Sequence, residues 1–204
     1  MPNADSAHLH AGVFAREPQW LPKRRILTTA IPRDVQSWLF DRDSLTRRVR
    51  ARCPGCFRVR VLVQELGRPM FNERRVLAMA DHELGVIRQV QLLCDNTPWV
   101  FARTVIPLHT LNGPGRRLTR LGSKPLGEML FANKTMRRFE VQVARILPVH
   151  DLFHAATLSL RTKPAEVWGR RSVFHLHDKP LLVSEVFLPR LLAHGALPAG
   201  QHIC

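Results

Sequence analysis

The sequence predicts an α+β fold, a single domain in which an antiparallel β-sheet is flanked by a few short helices. Three observations predict it. Residues 57–66, 86–94, 99–107, 139–146, 173–177 and 181–188 are apolar-rich segments that read as strands, several with the period of two of a half-buried strand. Turn-forming residues join two pairs of them into hairpins, Asp95-Asn-Thr-Pro98 in the middle of the chain and Asp178-Lys-Pro180 near its end. The chain has 204 residues, 45% of them hydrophobic, which suits one domain with a sizeable core.

Residues 1–22 are polar and irregular and read as a flexible arm. After Pro32, residues 34–40 read as a short amphipathic helix. Ser44 carries the side-chain oxygen an N-cap needs, so a second helix begins at Leu45 and runs to about residue 51. Cys53-Pro-Gly-Cys56 is a turn into the strand at 57–66, where Val59, Val61 and Val63 alternate with Arg58, Arg60 and Gln64. Residues 70–83 are ambiguous. Beyond the central hairpin, residues 108–123 form a loop around Gly113-Pro-Gly115. Pro125 suits the first turn of a helix, where its missing N–H costs no hydrogen bond, and that helix runs to about residue 133. Residues 147–166 read as a helix plus a loop, and the second hairpin closes the domain. The domain therefore spans 23–190, with 191–204 as a tail.

The formal charge is +15, with a pI near 11.4. Such a balance is common in proteins that bind nucleic acid or membrane surfaces. Here the cations are scattered as Lys23-Arg24-Arg25, Arg47-Arg48, Arg116-Arg117 and Arg137-Arg138, and no run reaches the length of a basic tail. Tyrosine is absent and the aromatics sit in apolar segments, so platforms for stacking bases are not evident and no nucleic-acid partner is expected. A positive field attracts a small dianion equally well. No stretch approaches the roughly 20 apolar residues of a membrane-spanning helix, and no long apolar leader core is present, so a cytoplasmic protein with reduced thiols is expected. Cys53 and Cys56 have the spacing of half a zinc site, but no second pair completes it, and the two read as incidental thiols in a turn. His175 and His177 share a strand face without a third ligand, so no metal is expected.

Three charged residues stand out on apolar strand faces. Glu185 shares its face with Leu181, Val183 and Phe187. Arg88 lies with Val86, Val90 and Leu92, and Arg103 with Trp99, Phe101 and Val105. A charge in such a setting is costly unless a counter-charge or hydrogen-bond partners meet it. One acid and two arginines so placed suggest a closed pocket for a small anion, and a structural ion pair would account for them equally well. The helix starts at Leu45 and Leu126 offer free backbone N–H groups to a carboxylate, a weak signal because every helix has such an end.

Several ordered motifs carry a family resemblance. Trp168-Gly-Arg-Arg-Ser172 followed by Lys179-Pro-Leu-Leu-Val-Ser-Glu-Val-Phe-Leu-Pro189 resembles the C-terminal signature of the chorismate pyruvate-lyase family. Arg88 with Leu92-Leu-Cys94, Pro98-Trp99, Arg103-Thr-Val-Ile-Pro107, Thr110-Leu111, Gly113-Pro114 and Leu121-Gly-Ser-Lys-Pro-Leu-Gly127 fit in the same order, as does Asp43-Ser-Leu-Thr-Arg47 upstream. The resemblance spans residues 33–189. Departures are a longer segment at 147–166, extra residues at both ends, and Leu45 where the family commonly has methionine.

The resemblance implies a fold in which short helices flap over a buried ligand pocket. It implies an enzyme that eliminates pyruvate from chorismate to form 4-hydroxybenzoate for ubiquinone, with no cofactor. Arg88 would grip the ligand carboxylate, Leu45 and Leu126 would offer backbone N–H groups, Glu185 would bond the ring hydroxyl, and Arg103 would be a supporting cation. Chorismate and 4-hydroxybenzoate are the expected ligands, and a monomer is expected. Two other classes compete: a non-catalytic effector-binding module of the same fold type, against which the chain has no recognisable helix-turn-helix, and a basic nucleic-acid-binding protein.

Overall fold

The alternating segments become the strands of one antiparallel sheet of eight strands. The structure is a computed structural model and describes residues 16–193. In chain order the strands are β1 (Leu21–Pro22), β2 (Phe57–Gly67), β3 (Gly85–Cys94), β4 (Thr97–Pro107), β5 (Arg137–Arg138), β6 (Gln142–Ile146), β7 (Val167–Leu176) and β8 (Lys179–Phe187). The spatial order is β1-β6-β7-β8-β4-β3-β2, and β5 pairs with the far end of β7. The helices are α1 (Arg33–Leu39), α2 (Leu45–Arg52), α3 (Phe71–Val76), α4 (Leu126–Ala132), α5 (Asp151–Thr157) and α6 (Pro189–Ala193). This is the expected α+β domain. The ambiguous stretch at 70–83 contains α3, and residues 108–111 and 113–120 wind into 3₁₀ turns where a plain loop was expected.

Both hairpins turn more tightly than expected. Asp95 and Asn96 take φ of 48° and 67°, and His177 and Asp178 take 50° and 58°. Two consecutive left-handed residues make the turn whose twist matches the flanking strands, and Asp and Asn tolerate that region better than most residues. Thr97, Pro98, Lys179 and Pro180 therefore join the strands. His177 belongs to the second turn, so it does not share a strand face with His175, whose ring instead packs on Phe139 at 4.5 Å between centroids.

Each face of the sheet buries two apolar clusters. On one face, α1 and α2 pack Val35, Trp38, Leu39 and Val49 against Leu92, Val100, Trp168 and Phe187. On the same face, α4 packs Leu126 and Leu130 against Ile106, Phe174 and Val183. On the opposite face, Leu152, Phe153 and Ala156 of α5 meet Phe101, Ile146 and Val186, while Leu77 and Met79 meet Val105 and Leu182. Burying one such large side chain contributes about 1.5–3 kcal/mol. Between the paired clusters, on both faces, lies a band of charged and polar residues.

Two expectations change here. The thiols of Cys53 and Cys94 are joined in a disulfide, with Cα atoms 5.6 Å apart, although the sequence reading took all the thiols as reduced and Cys53 as incidental. Strand register explains the meeting: Phe57 pairs with Cys94, so the turn at 53–56 folds back over the end of β3. The bridge ties the end of α2 to the sheet. The segment read as a loose arm is docked from Arg16 onward: Asp151 donates its N–H to the Arg16 carbonyl, Leu21 pairs with Val143, and the Glu17 carboxylate accepts from the Phe71 and Asn72 N–H groups at the start of α3. Residues 1–15 of that arm, and the tail from residue 194 on, lie outside the described residues.

Candidate active site

A pocket opens between the two clusters on the helix-covered face bearing α1, α2 and α4. Its floor is the shared face of β3, β4, β7 and β8, and its roof is the starts of α2 and α4. Val90, Leu92, Ala102, Leu130, Phe131, Phe174 and Val183 make it largely apolar, and Thr46 and Thr104 add hydroxyls. Leu45 and Leu126 both line it. The Ser44 hydroxyl accepts from the Arg47 N–H and caps α2, whereas α4 starts at Pro125 with no side-chain cap. The two helix starts approach closely at Gly127: a Cβ there would lie 3.2 Å from Thr46 Oγ1. A side chain there would require Thr46 to give way by a few tenths of an ångström.

Arg88 enters this pocket from β3 and is 2% exposed. One terminal nitrogen donates to the carbonyls of Gly122 (2.8 Å) and Lys124 (3.3 Å), in the loop leading into α4. No carboxylate pairs with it among the described residues, and its buried Nε has no hydrogen-bond partner. Burial lowers its pKa from the ordinary arginine value. A buried guanidinium with unused donors is a costly arrangement for stability alone. A guanidinium fork can meet a carboxylate with two parallel hydrogen bonds.

Glu185 enters from β8 at the opposite end, beside Arg170 of β7. The two residues are a direct cross-strand pair, and Arg170 Nε donates to Glu185 Oε2 at 2.6 Å. Arg170 also donates to the carbonyls of Trp38 and Asp41, which fixes the chain between α1 and α2. Asp41 in turn accepts from the Asp43 N–H and from Arg48, so the approach to Ser44 and Leu45 is held from several sides. One Glu185 oxygen is thus occupied by Arg170, and the other is available to the pocket. A structural partner for Glu185 does exist, but it is neither Arg88 nor Arg103.

Arg103 is not in the pocket, contrary to the sequence reading. It points to the opposite face and forms a buried two-pronged ion pair with Glu73 of α3, at 2.7 and 3.0 Å. The cause is a β-bulge. Leu93 pairs with Pro98 but Leu92 pairs with Val100, so Trp99 has no opposite number and the register moves by one residue. A regular two-residue hairpin would set Arg88 opposite Arg103 on one face. With the bulge, Arg88 opposes Thr104 and Arg103 opposes Gln89. Near Arg103, Arg171 donates to Gln142 and Asn72, and burial, opposed by Glu73 and Glu17, brings its pKa down to about 10. On this face Arg103 has a carboxylate partner, whereas on the pocket face Arg88 has none among the described residues.

A family model described as chorismate lyase matches residues 16–196. Relatives named probable chorismate pyruvate-lyase include one from Azoarcus sp. (strain BH72), 44% identical over 164 residues and covering 78% of this chain and 86% of the relative. Another, from Nitrosomonas europaea, is 39% identical over 160 residues, with 78% and 89% covered. A third, from Methylococcus capsulatus, is 40% identical over 159 residues, with 78% and 97% covered. The chain belongs to the chorismate lyase family. Among solved structures it is similar to PhnF from Mycobacterium smegmatis, with a TM-score of 0.53 and 12% identity over 80% of this chain and 68% of that one. It is also similar to a GntR-family transcriptional regulator from Bacillus cereus, with a TM-score of 0.50 and 12% identity over 72% and 99%. At that identity these likenesses speak to the fold alone.

In this chorismate lyase family member, several of the motifs that carry the resemblance place residues in the pocket, among them Asp43, Leu45, Arg88, Leu126, Arg170 and Glu185. Sequence reasoning missed two of its arginines. The expected strand at 173–177 leaves Arg170 outside it, whereas the strand runs back through the Trp168-Gly-Arg-Arg-Ser172 motif and, with its two-residue turn, sets Arg170 opposite Glu185. Arg138 sits on the two-residue strand β5, whose only register signal is its pairing with residues 174 and 175. It is half-buried, donates from Nε to Ser172 Oγ and from Nη1 to the Arg42 carbonyl, both at 3.0 Å, and lines the pocket. Its pKa is lowered by burial and by Arg170, against the opposing pull of Glu185 and Asp41.

Proposed function

We propose that this protein is a chorismate pyruvate-lyase that converts chorismate to 4-hydroxybenzoate and pyruvate, the committed supply of the ubiquinone ring. The observation that supports this reading best is the buried, acid-free Arg88 facing Glu185 across an apolar pocket in a chain of this family. Arg88 takes the ring carboxylate, with the backbone N–H groups at Leu45 and Leu126 beside it, and Glu185 takes the ring hydroxyl. The driving force is aromatisation and resides in the substrate, so the protein has to orient chorismate, exclude water and stabilise the departing negative charge. The test is purified protein mixed with chorismate, with both products followed. Absence of turnover would overturn the reading.

The reaction needs no oxidant or reductant, and a pocket carrying three arginines repels a metal cation. Activity is therefore expected to survive exhaustive treatment with a chelator. Loss on chelation and return with added metal would overturn a cofactor-free mechanism. The protein is expected to act as a cytoplasmic monomer on a free metabolite. No helix of the described residues is long and apolar enough to cross a membrane. In a reducing compartment Cys53 and Cys94 would remain neighbouring buried thiols in the same apolar cluster.

Glu185 separates a ligand contact from a purely structural pair. Glu185→Gln should weaken 4-hydroxybenzoate by about 10- to 150-fold, the equivalent of roughly 1.5–3 kcal/mol for a hydrogen bond to a charged group. Benzoate, which has no ring hydroxyl, should be weakened much less. Equal weakening of both ligands in paired titrations would leave Glu185 as nothing more than the partner of Arg170.

A further inference from the structure

We propose that Arg138 binds the carboxylate of the enolpyruvyl group of chorismate and stabilises the negative charge that leaves with it. The assignment rests on the chorismate reading above and extends it to the second carboxylate. Chorismate holds its ring carboxylate on one ring carbon and its hydroxyl on the carbon directly across the ring. The enolpyruvyl ether is on the carbon next to the hydroxyl. With the ring carboxylate on Arg88 and the hydroxyl on Glu185, the enolpyruvyl group must lie at the Glu185 end. A dianion in an apolar pocket needs a cation at that end too.

Two arginines are there. Arg170 has Nε on Glu185 and Nη1 on the Trp38 and Asp41 carbonyls, so its charge already has a carboxylate partner, whereas Arg138 has no ion pair among the described residues. Arg138 commits Nε to Ser172 and Nη1 to the Arg42 carbonyl, which fixes the plane of its guanidinium and keeps Nη2 for a ligand. Arg138 also forms the wall shared between the pocket and an adjoining outer cavity, whose other charged lining residues are Lys23, Arg42 and Glu140.

The bonds balance without a co-reactant. The ring carbon–oxygen bond breaks and its electron pair stays on the enolpyruvyl oxygen. The C–H bond at the hydroxyl-bearing carbon gives its pair to the ring, which becomes aromatic. That proton ends on the enolpyruvyl methylene carbon, giving pyruvate. Arg138 acts where charge develops on the leaving group, a place where a positioned donor has most effect on rate.

The experiment compares wild type, Arg138→Met and Arg138→Lys for chorismate turnover and for binding of 4-hydroxybenzoate, which lacks the second carboxylate. The expected result for Arg138→Met is a loss of kcat/KM of about 100-fold or more, with the dissociation constant of 4-hydroxybenzoate within about threefold of wild type. Arg138→Lys keeps the charge without the fork and should fall in between, and it carries the test if methionine is not tolerated. Parallel loss of turnover and product binding would make Arg138 a structural support of the pocket and overturn the assignment. Unchanged turnover in an active background would overturn it alone. A wild type inactive on chorismate would overturn the enzyme reading and this assignment together.

Discussion

Arg88→Ala is expected to lower kcat/KM for chorismate by about 30- to 1,000-fold, the equivalent of roughly 2–4 kcal/mol of lost transition-state stabilisation, while the protein stays folded. Both halves follow from how Arg88 is held. The residue is 2% exposed, its guanidinium pairs with no carboxylate among the described residues, and its buried Nε has no partner. Removing it removes a desolvated charge whose compensation within the protein amounts to two carbonyl contacts. Stability should therefore change little, whereas a bound carboxylate would lose its counter-charge. Binding of 4-hydroxybenzoate should fall alongside turnover, which separates Arg88 from Arg138. Arg88→Lys should recover only part, because an ammonium supplies a point charge where a fork is wanted. Near-normal turnover in a folded Arg88→Ala protein would rule out Arg88 as the carboxylate anchor.

What could be read from the sequence depended on whether the signal was local. Arg88 and Glu185 were legible because a charge among alternating apolar residues is conspicuous within one strand, and both line the pocket. The start of α2 was legible because Ser44 is a capping residue directly before Leu45, and the start of α4 because Pro125 precedes Leu126. Face assignment across the central hairpin was not legible. It turns on the unpaired Trp99, and one extra residue inverts every side chain beyond it. Arg138 and the Cys53–Cys94 bridge depend on contacts between segments far apart in the chain, which no local period reports. Arg170 lies between these cases: its partner follows from simple hairpin counting once the strand is given its full length.

Arg103 and Glu73 supply the complementary result, a large effect on stability with the ligand untouched. Arg103→Met is expected to destabilise the fold by about 3–5 kcal/mol, because it strands a carboxylate that is 4% exposed. The Glu73 side chain also accepts the Met70 N–H at 2.8 Å, so part of its hydrogen bonding survives, but the charge does not keep its counter-ion. Changing the acid as well should reverse most of the loss. In the Arg103→Met/Glu73→Gln double variant the amide can still accept from Met70, the buried carboxylate is gone and Arg171 keeps the field of Glu17, so thermal stability should return most of the way to wild type. That non-additivity is the signature of a coupled pair. Both residues lie across the sheet from the pocket, so the dissociation constant of 4-hydroxybenzoate should stay within about twofold of wild type wherever the variants are folded. The bulge at Trp99 makes this outcome differ from that of Arg88→Ala, although the two arginines look alike in sequence. If Arg103→Met remained as stable as wild type but bound the ligand tenfold more weakly, Arg103 would have to face the pocket, and the register of the central hairpin would be wrong.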